Sequence, residues 1–379
     1  MKVLMPTSSF PRFEGDYYGG FVSELAGHLK EEGVDVTVLA PRSRSSREID
    51  ANHVVTRFPF MPLKASETLS ERTLKHAPPL ELAQLPPYIA SAWRSVRRSE
   101  ADLVHAHFAI PMGFLASFST GRPTVVTCHG SDVTLPYVSP IYRPFTKRAL
   151  TKAEKVVAVS KFIGSLATRL GAPRGKVEVI HTGVDTERFK PCGRTYGGER
   201  SIKQGTDIVV GTLGRLVPEK RVEDLLRAAS IVSGKIDARF IVGGEGPCRP
   251  ALERMAVELG LRNVAFLGEV WDAPAFHRMC DVFVLASVRE GLSVALQEAM
   301  ATGCVPVAVR SFGCDEILED GVNGFIYCPR DYEELAEKIL MAAEVPSLGR
   351  RARETIVESF DSRRSARRYV EVYEELLRR

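Results

Sequence analysis

A chain of 379 residues with 44% hydrophobic and 26% charged residues has an ordinary globular composition and exceeds what one core usually organises, so roughly two domains of 150–200 residues are expected. Disordered, collagen-like and fibrous classes are excluded, and no apolar run approaches the ~20 residues that span a bilayer. The net charge of +4 conceals an asymmetry, with 25 Lys+Arg against 18 Asp+Glu in residues 1–190 and 26 against 29 in residues 191–379.

The basic front half suits an anionic partner, either a phosphate-bearing ligand or an anionic membrane surface. Arg42, Arg44, Arg47, Arg94, Arg97 and Arg98 are the candidates for peripheral contact with the inner face of a membrane, and nucleic acid is not expected. The opening "MKVLMPTSSFPRFEGD" meets an arginine and acids before any signal-type core forms, so a cytoplasmic address is expected. The seven cysteines are scattered and never spaced CxxC, which predicts neither a disulfide framework nor a zinc site.

In chain order, short β-branched runs alternate with amphipathic stretches, the pattern of parallel sheets covered by helices. Strands are predicted at 2–5, 35–40, 53–58, 102–107, 124–129, 155–160 and 176–181, with helices over 19–32 and 161–170 among those between them. Residues 60–100 are the least regular part of this half and the expected seat of its own specificity. The periodicity lapses over the Gly- and charge-rich 182–207. A second series then runs through strands at 208–213, 238–244, 263–268, 281–286, 305–309 and 324–327. The fold class is therefore α/β, two doubly wound Rossmann-like domains facing across a cleft: 1–190, 191–360, and a final helix over 361–379.

Ligands of such sheets sit beyond the carboxyl ends of the strands, so the strand-to-helix loops carry the candidate chemistry. In "REGLSVALQEAM" (289–300) the strand "DVFVLA" gives way to a predicted helix over 291–303. The amides of Gly291, Leu292, Ser293 and Val294 then form a positive helix end suited to a phosphate. Glu290 and Glu298 flank those amides, about 12 Å apart if they share one helical element, and are placed to hold hydroxyls at the two ends of an extended ligand. Taken alone, they are equally an ordinary pair of helix glutamates. Arg215 and Lys220 in "GRLVPEK" (214–220) stand on another strand-to-helix loop, where two cations favour a diphosphate.

The series "GRLVPEK", "GGEGP", "NVAFLG" and "REGLSVALQEAMATG" resembles the nucleotide-sugar domain of retaining GT-B glycosyltransferases with the E-x7-E motif, the family 4, glycosyl transferases group 1 type. The front half, with "VVTCHGSDV" and "VVAVSKFIGSLATRLGAP", is similar to the acceptor domain of the same family. The resemblance implies that Arg215 and Lys220 hold the donor diphosphate, Glu290 the hexose and Glu298 the ribose. It implies that Gly20, with Gly19, lets backbone approach the donor, that His129 stands beside the reacting sugar, and that Leu267 and Val270 flank the base. Asp132, Ser160 and Lys161 are acceptor-side candidates. His105 and His107 also resemble the family but lack a third ligand at metal spacing.

A hexosyl transfer from a nucleoside-diphosphate sugar to a hydroxyl acceptor (glycan, glycolipid or small polyol) is thus implied, with retention, by front-face substitution. No metal or other cofactor is expected, since no DxD-like motif lies in the inferred donor loops and two cations already serve the diphosphate. The family's Gly-Phe-Gly run after the first glutamate is replaced by Gly291-Leu292-Ser293, which leaves the hexose open, as are the base, the acceptor and the oligomeric state. An epimerase or sugar phosphorylase on this fold, or a non-catalytic nucleotide-sugar binder, would keep the same donor residues. A dinucleotide oxidoreductase would need the GxGxxG fingerprint that "GGEGP" lacks.

Overall fold

The computed structural model describes residues 1–42, 54–59, 85–118, 121–191, 208–288, 290–311 and 313–379. Most of the irregular stretch 60–100, Arg44, Arg47 and most of the connection 182–207 lie outside them. The chain divides into two units, one formed by Met1–Thr182 with Ser362–Arg379 and the other by Gly183–Asp361.

The first unit is built on seven parallel strands, β1 (Lys2–Pro6), β2 (Asp35–Pro41), β3 (Val54–Phe58), β4 (Leu103–His107), β5 (Thr124–Cys128), β6 (Lys155–Ala158) and β7 (Val177–Val179), in the order β3-β2-β1-β4-β5-β6-β7. Every residue of β4 and β5 is buried, as expected of central strands covered on both faces. The helix Gly20–Glu31 packs Val22, Ala26 and Leu29 onto this sheet. Beside it lies the final helix Ser362–Leu377, whose Ala366, Tyr369, Tyr373 and Leu376 recur at helical spacing and join the same core.

The second unit repeats the plan with six strands, β8 (Ile208–Leu213), β9 (Ala238–Gly243), β10 (Val264–Gly268), β11 (Val282–Leu285), β12 (Val305–Val309) and β13 (Phe325–Tyr327), ordered β10-β9-β8-β11-β12-β13. Both sheets therefore reverse direction at one point, between β1 and β4 and between β8 and β11, and loops diverge there to leave a crevice.

Residues 183–190 belong to the second unit, eight residues short of the expected boundary. Arg278 donates to the carbonyls of Arg188 and Lys190, Arg353 to that of Phe189, and Val184 bridges to Asp361.

Candidate active site

At the switch point of the second unit, β8 is followed by Gly214 and Arg215 and then by the short turn Pro218–Lys220. The neighbouring strand β11 is followed by Ala286, Ser287 and Val288. The amide of Val288 donates to the carbonyl of Glu219 (3.4 Å), so the two loops lie against each other. That contact brings Lys220 Nζ to 2.5 Å from Glu290 Oε1. The two side chains are 26% and 19% exposed, so the pair is partly open to a ligand.

The helix after Glu290 is shorter than expected. It spans Val294–Ala301, and Ser293 is its cap, its hydroxyl accepting the amide of Leu296 at 3.4 Å. A serine that bonds the backbone two or three residues on ends the preceding loop rather than extending the helix backwards. Glu290 and Glu298 therefore do not share one helical element. Glu290 stands in a loop and Glu298 on the second turn. Among the described residues, the amides of Gly291 to Ala295 have no acceptor in the protein. Five N–H groups beside a lysine form an anion-binding edge.

A small concavity lies on the Lys220 side of this site, walled by Leu213, Gly214, Lys220, Gly243 and Ser287. Gly244, at φ +120, makes the wall possible, because a Cβ there would collide with the carbonyl of Gly214. Arg215 is exposed and has no ion pair among the described residues. Val270 packs on Gly243, whereas Leu267, on edge strand β10, is exposed and does not line the concavity. Glu298 lies 3.3 Å from Nε2 of the fully buried His277, a partner that spacing alone does not reveal.

Three polar groups escaped the sequence reading. Ser287 lines the concavity with a buried hydroxyl that has no partner, and the hydroxyl of Ser311, after the neighbouring strand β12, is also buried and unpartnered but does not line it. Gln297 is fully buried with neither amide atom bonded. The usable signal was position, since Ser287 directly follows a predicted strand and Ser311 comes two residues after one; Gln297 had none. Gly313 also matters here, because a Cβ on it would press into the carbonyl of Gly291.

In the first unit, His129 follows β5. Its ring packs against Phe21, Phe108 and His107 with centroids 4.8, 4.7 and 5.2 Å away, and its Nε2 lies 3.0 Å from His107 Nδ1. Burial pushes His129 down to about 3 and His107 well below the ordinary imidazole range, so both rings are neutral at pH 7. His107 Nε2 is buried without a partner. An orphaned acceptor costs less than an orphaned N–H, which assigns the proton of His107 to Nδ1, donating to His129 Nε2. His129 then carries its own proton on Nδ1, which has no protein partner and is not sealed from the surface. The ring presents a hydrogen-bond donor.

Asp132 neither orients that ring nor is left to read an acceptor. Its carboxylate accepts the amides of Ala109 (2.7 Å), Gly130 (2.9 Å) and His129 (3.1 Å), and burial raises it above the usual carboxylate range despite those bonds. It fixes the backbone that carries His129. Ser160 is likewise a cap, accepting the amide of Ile163 at 3.2 Å, while Lys161 is exposed in the first turn of that helix. Gly19 adopts φ +73 against the carbonyl of Ser9, where a Cβ would not fit; at Gly20 a Cβ would meet nothing. The required glycine is thus Gly19, and Gly20 leaves space at the helix start. His105 is held in a buried chain, Nδ1 to Tyr373 (2.6 Å) and Nε2 to Thr127 (2.7 Å). Among the described residues no three His, Cys, Asp or Glu side chains gather as a metal site.

Two doubly wound units of one strand order, each with polar groups at its switch point, define an α/β enzyme of the GT-B type. Comparison with known proteins makes this specific. The Glycosyltransferase Family 4 model matches residues 20–188 and the Glycosyl transferases group 1 model residues 199–357; the chain belongs to this glycosyltransferase family. N-acetyl-alpha-D-glucosaminyl L-malate synthase of Bacillus anthracis is 25% identical, covering 100% of this chain and 98% of its own. A GDP-mannose-dependent alpha-(1-6)-phosphatidylinositol monomannoside mannosyltransferase of Mycolicibacterium smegmatis is 29% identical over 89% of this chain and 88% of its own. Among solved structures, Anabaena HepE in complex with UDP and glucose superposes with a TM-score of 0.79 at 22% identity, covering 99% of this chain and all of that one.

Proposed function

We propose that this glycosyltransferase moves a hexosyl group from a nucleoside-diphosphate sugar to a hydroxyl acceptor with retention of anomeric configuration. The observation that carries the reading is the Lys220–Glu290 pair beside the unpartnered amides of Gly291 to Ala295. A diphosphate laid along the amides takes Lys220 as its counter-cation, with Arg215 as the second. Glu290, relieved of part of its partner, then accepts from sugar hydroxyls, and Glu298 on the next turn serves the ribose. Val270 and the β10 loop flank the base.

As the glycosidic bond breaks, negative charge builds on the leaving phosphate, where fixed amides and cations stabilise it without reorganising. No carboxylate of the set is assigned as a covalent nucleophile, in contrast to the paired acids of retaining glycosidases, so front-face substitution is the route, with the leaving phosphate taking the acceptor proton. In the first unit, the Nδ1–H of His129 is the candidate hydrogen-bond donor toward substrate. Both UDP and GDP donors are compatible with relatives: the HepE complex holds UDP, and the mycobacterial relative is named for GDP-mannose. The acceptor class is a glycan, glycolipid or small polyol.

The test is acceptor-dependent release of nucleoside diphosphate across a panel of UDP-, GDP- and ADP-sugars, followed by NMR of the product anomer. An α-donor must give an α-product. Inversion, or an isomerised donor without transfer, refutes the reading. Transfer persists in EDTA, and activity lost to chelation and restored by a divalent ion would overturn metal independence.

A further inference from the structure

Between Leu103 and Ala153 the sole acidic residue is Asp132, which is buried, while Arg122, Arg143, Lys147, Arg148 and Lys152 are basic. Within this stretch the helix Ser131–Val138, the turn Pro140–Tyr142 and the helix Arg143–Lys152 pack on one another. Their outer side is apolar: Ile141 is 69% and Val138 52% exposed, and Tyr137, Phe145 and Phe118 are also open. Phe114 joins the patch, 5.1 Å from Phe145 and 5.2 Å from Phe118 between ring centroids.

Cations rim these rings. The Arg148 guanidinium lies 4.2 Å from the Phe118 ring and that of Arg143 5.8 Å from Tyr137. Arg143, Lys147, Arg148 and Lys152 have no acidic partner among the described residues. The next acid along the chain, Glu154, accepts the amide of Thr124. An exposed apolar tip flanked by aromatic rings and uncompensated cations matches the layering of a bilayer interface, with acyl chains below and anionic headgroups above.

We propose that this surface docks the protein on an anionic lipid bilayer, with Ile141, Val138 and Phe145 entering the interface and Arg143, Lys147, Arg148 and Lys152 meeting lipid phosphates. A second copy of the chain fits less well, because a two-fold interface through this face sets like charges against each other. The sequence pointed instead to Arg42, Arg44 and Arg47, the last two outside the described residues, and to the arginines of the helix Leu85–Arg98. Arg94, Arg97 and Arg98 are exposed there, but they are followed closely by Glu100 and Asp102. The proposal is independent of the reaction described above.

The test is flotation of the full chain with phosphatidylcholine vesicles, with and without phosphatidylglycerol. Binding is expected only with the anionic lipid, weakening as salt rises. It should fall about tenfold or more in Lys147→Glu/Lys152→Glu, two charges being removed from the headgroup layer and reversed, and similarly in Ile141→Ser/Phe145→Ser. Ile141→Trp gives a second readout, since its emission should shift to the blue on anionic vesicles. No flotation with anionic vesicles, flotation insensitive to both double variants, or an unshifted Ile141→Trp emission overturns the proposal. So does a loss confined to Arg94→Glu/Arg97→Glu, and so does capture of the patch by an acidic protein in the absence of any lipid binding.

Discussion

Lys220 and Glu290 are 70 residues apart and meet only because the loops after β8 and β11 lie side by side. An exposed or half-exposed ion pair contributes at most about 1 kcal/mol to stability, so its removal is not expected to unfold the chain. Its place beside five free amides is the basis for the proposed donor role, under which Lys220→Ala should lower kcat/KM about 10²–10³-fold, the range for loss of one fixed charge-stabilising group. Steady-state rates within about twofold of the parent would refute the assignment. His129→Ala should lower kcat comparably while leaving nucleoside diphosphate affinity unchanged, which titration calorimetry can separate. The residue types of the site were legible in the sequence; their occupations were not. Asp132 and Ser160 stand where a strand end meets a helix start, and that geometry uses the same side chains for capping as for ligand binding. Only the amides they accept tell the two apart.

At the scale of elements, strand positions were readable almost throughout, because central parallel strands are continuous apolar runs. The exceptions are ends: β7 is Val177–Val179, short of the expected 176–181, and the helix after Glu290 begins three residues later than expected because Ser293 caps it. The role of His105 was not readable, since its partner Tyr373 lies 268 residues away on the final helix. Thr127 Oγ1 and Tyr369 OH, 3.0 Å apart, extend the chain. Tyr373→Phe leaves His105 Nδ1 buried and unpaired, costing about 1–3 kcal/mol, to be read as a lower urea midpoint at unchanged slope.

The same burial has a pH signature. Burial pushes His105 down to about 3 from 6.5, so between those values the unfolded chain binds a proton that the folded unit refuses. Stability is full above about pH 6.5 and declines as pH falls toward 3. The deficit at pH 5 is about 2 kcal/mol for this one group. A urea midpoint that does not drop between about pH 7.5 and pH 5 would contradict it.

The whole molecule uses one strand order twice, 3-2-1-4-5-6 counted within each sheet, with a seventh strand added to the first. That repeat was expected from the alternation of strands and helices, while the boundary at Thr182 and Gly183 was not, because Arg278 and Arg353 tie 183–190 into the second unit through backbone carbonyls that carry no sequence signature. The division of labour implied by the two switch points is testable in the intact chain. A nucleoside diphosphate at a hundred times its Kd stabilises the state that binds it by about 2.7 kcal/mol, which for a unit of 150–250 residues raises Tm by about 5–10 °C. Hydrogen exchange should localise that effect. UDP or GDP, whichever is the donor base, should protect the amides of 211–221 and 290–296, where the anion edge lies, and leave the amides of the β5 strand at their unliganded rates. Protection spread evenly over both units, or confined to the first, would place the nucleotide elsewhere and remove the basis for assigning Lys220 and Glu290 to the donor.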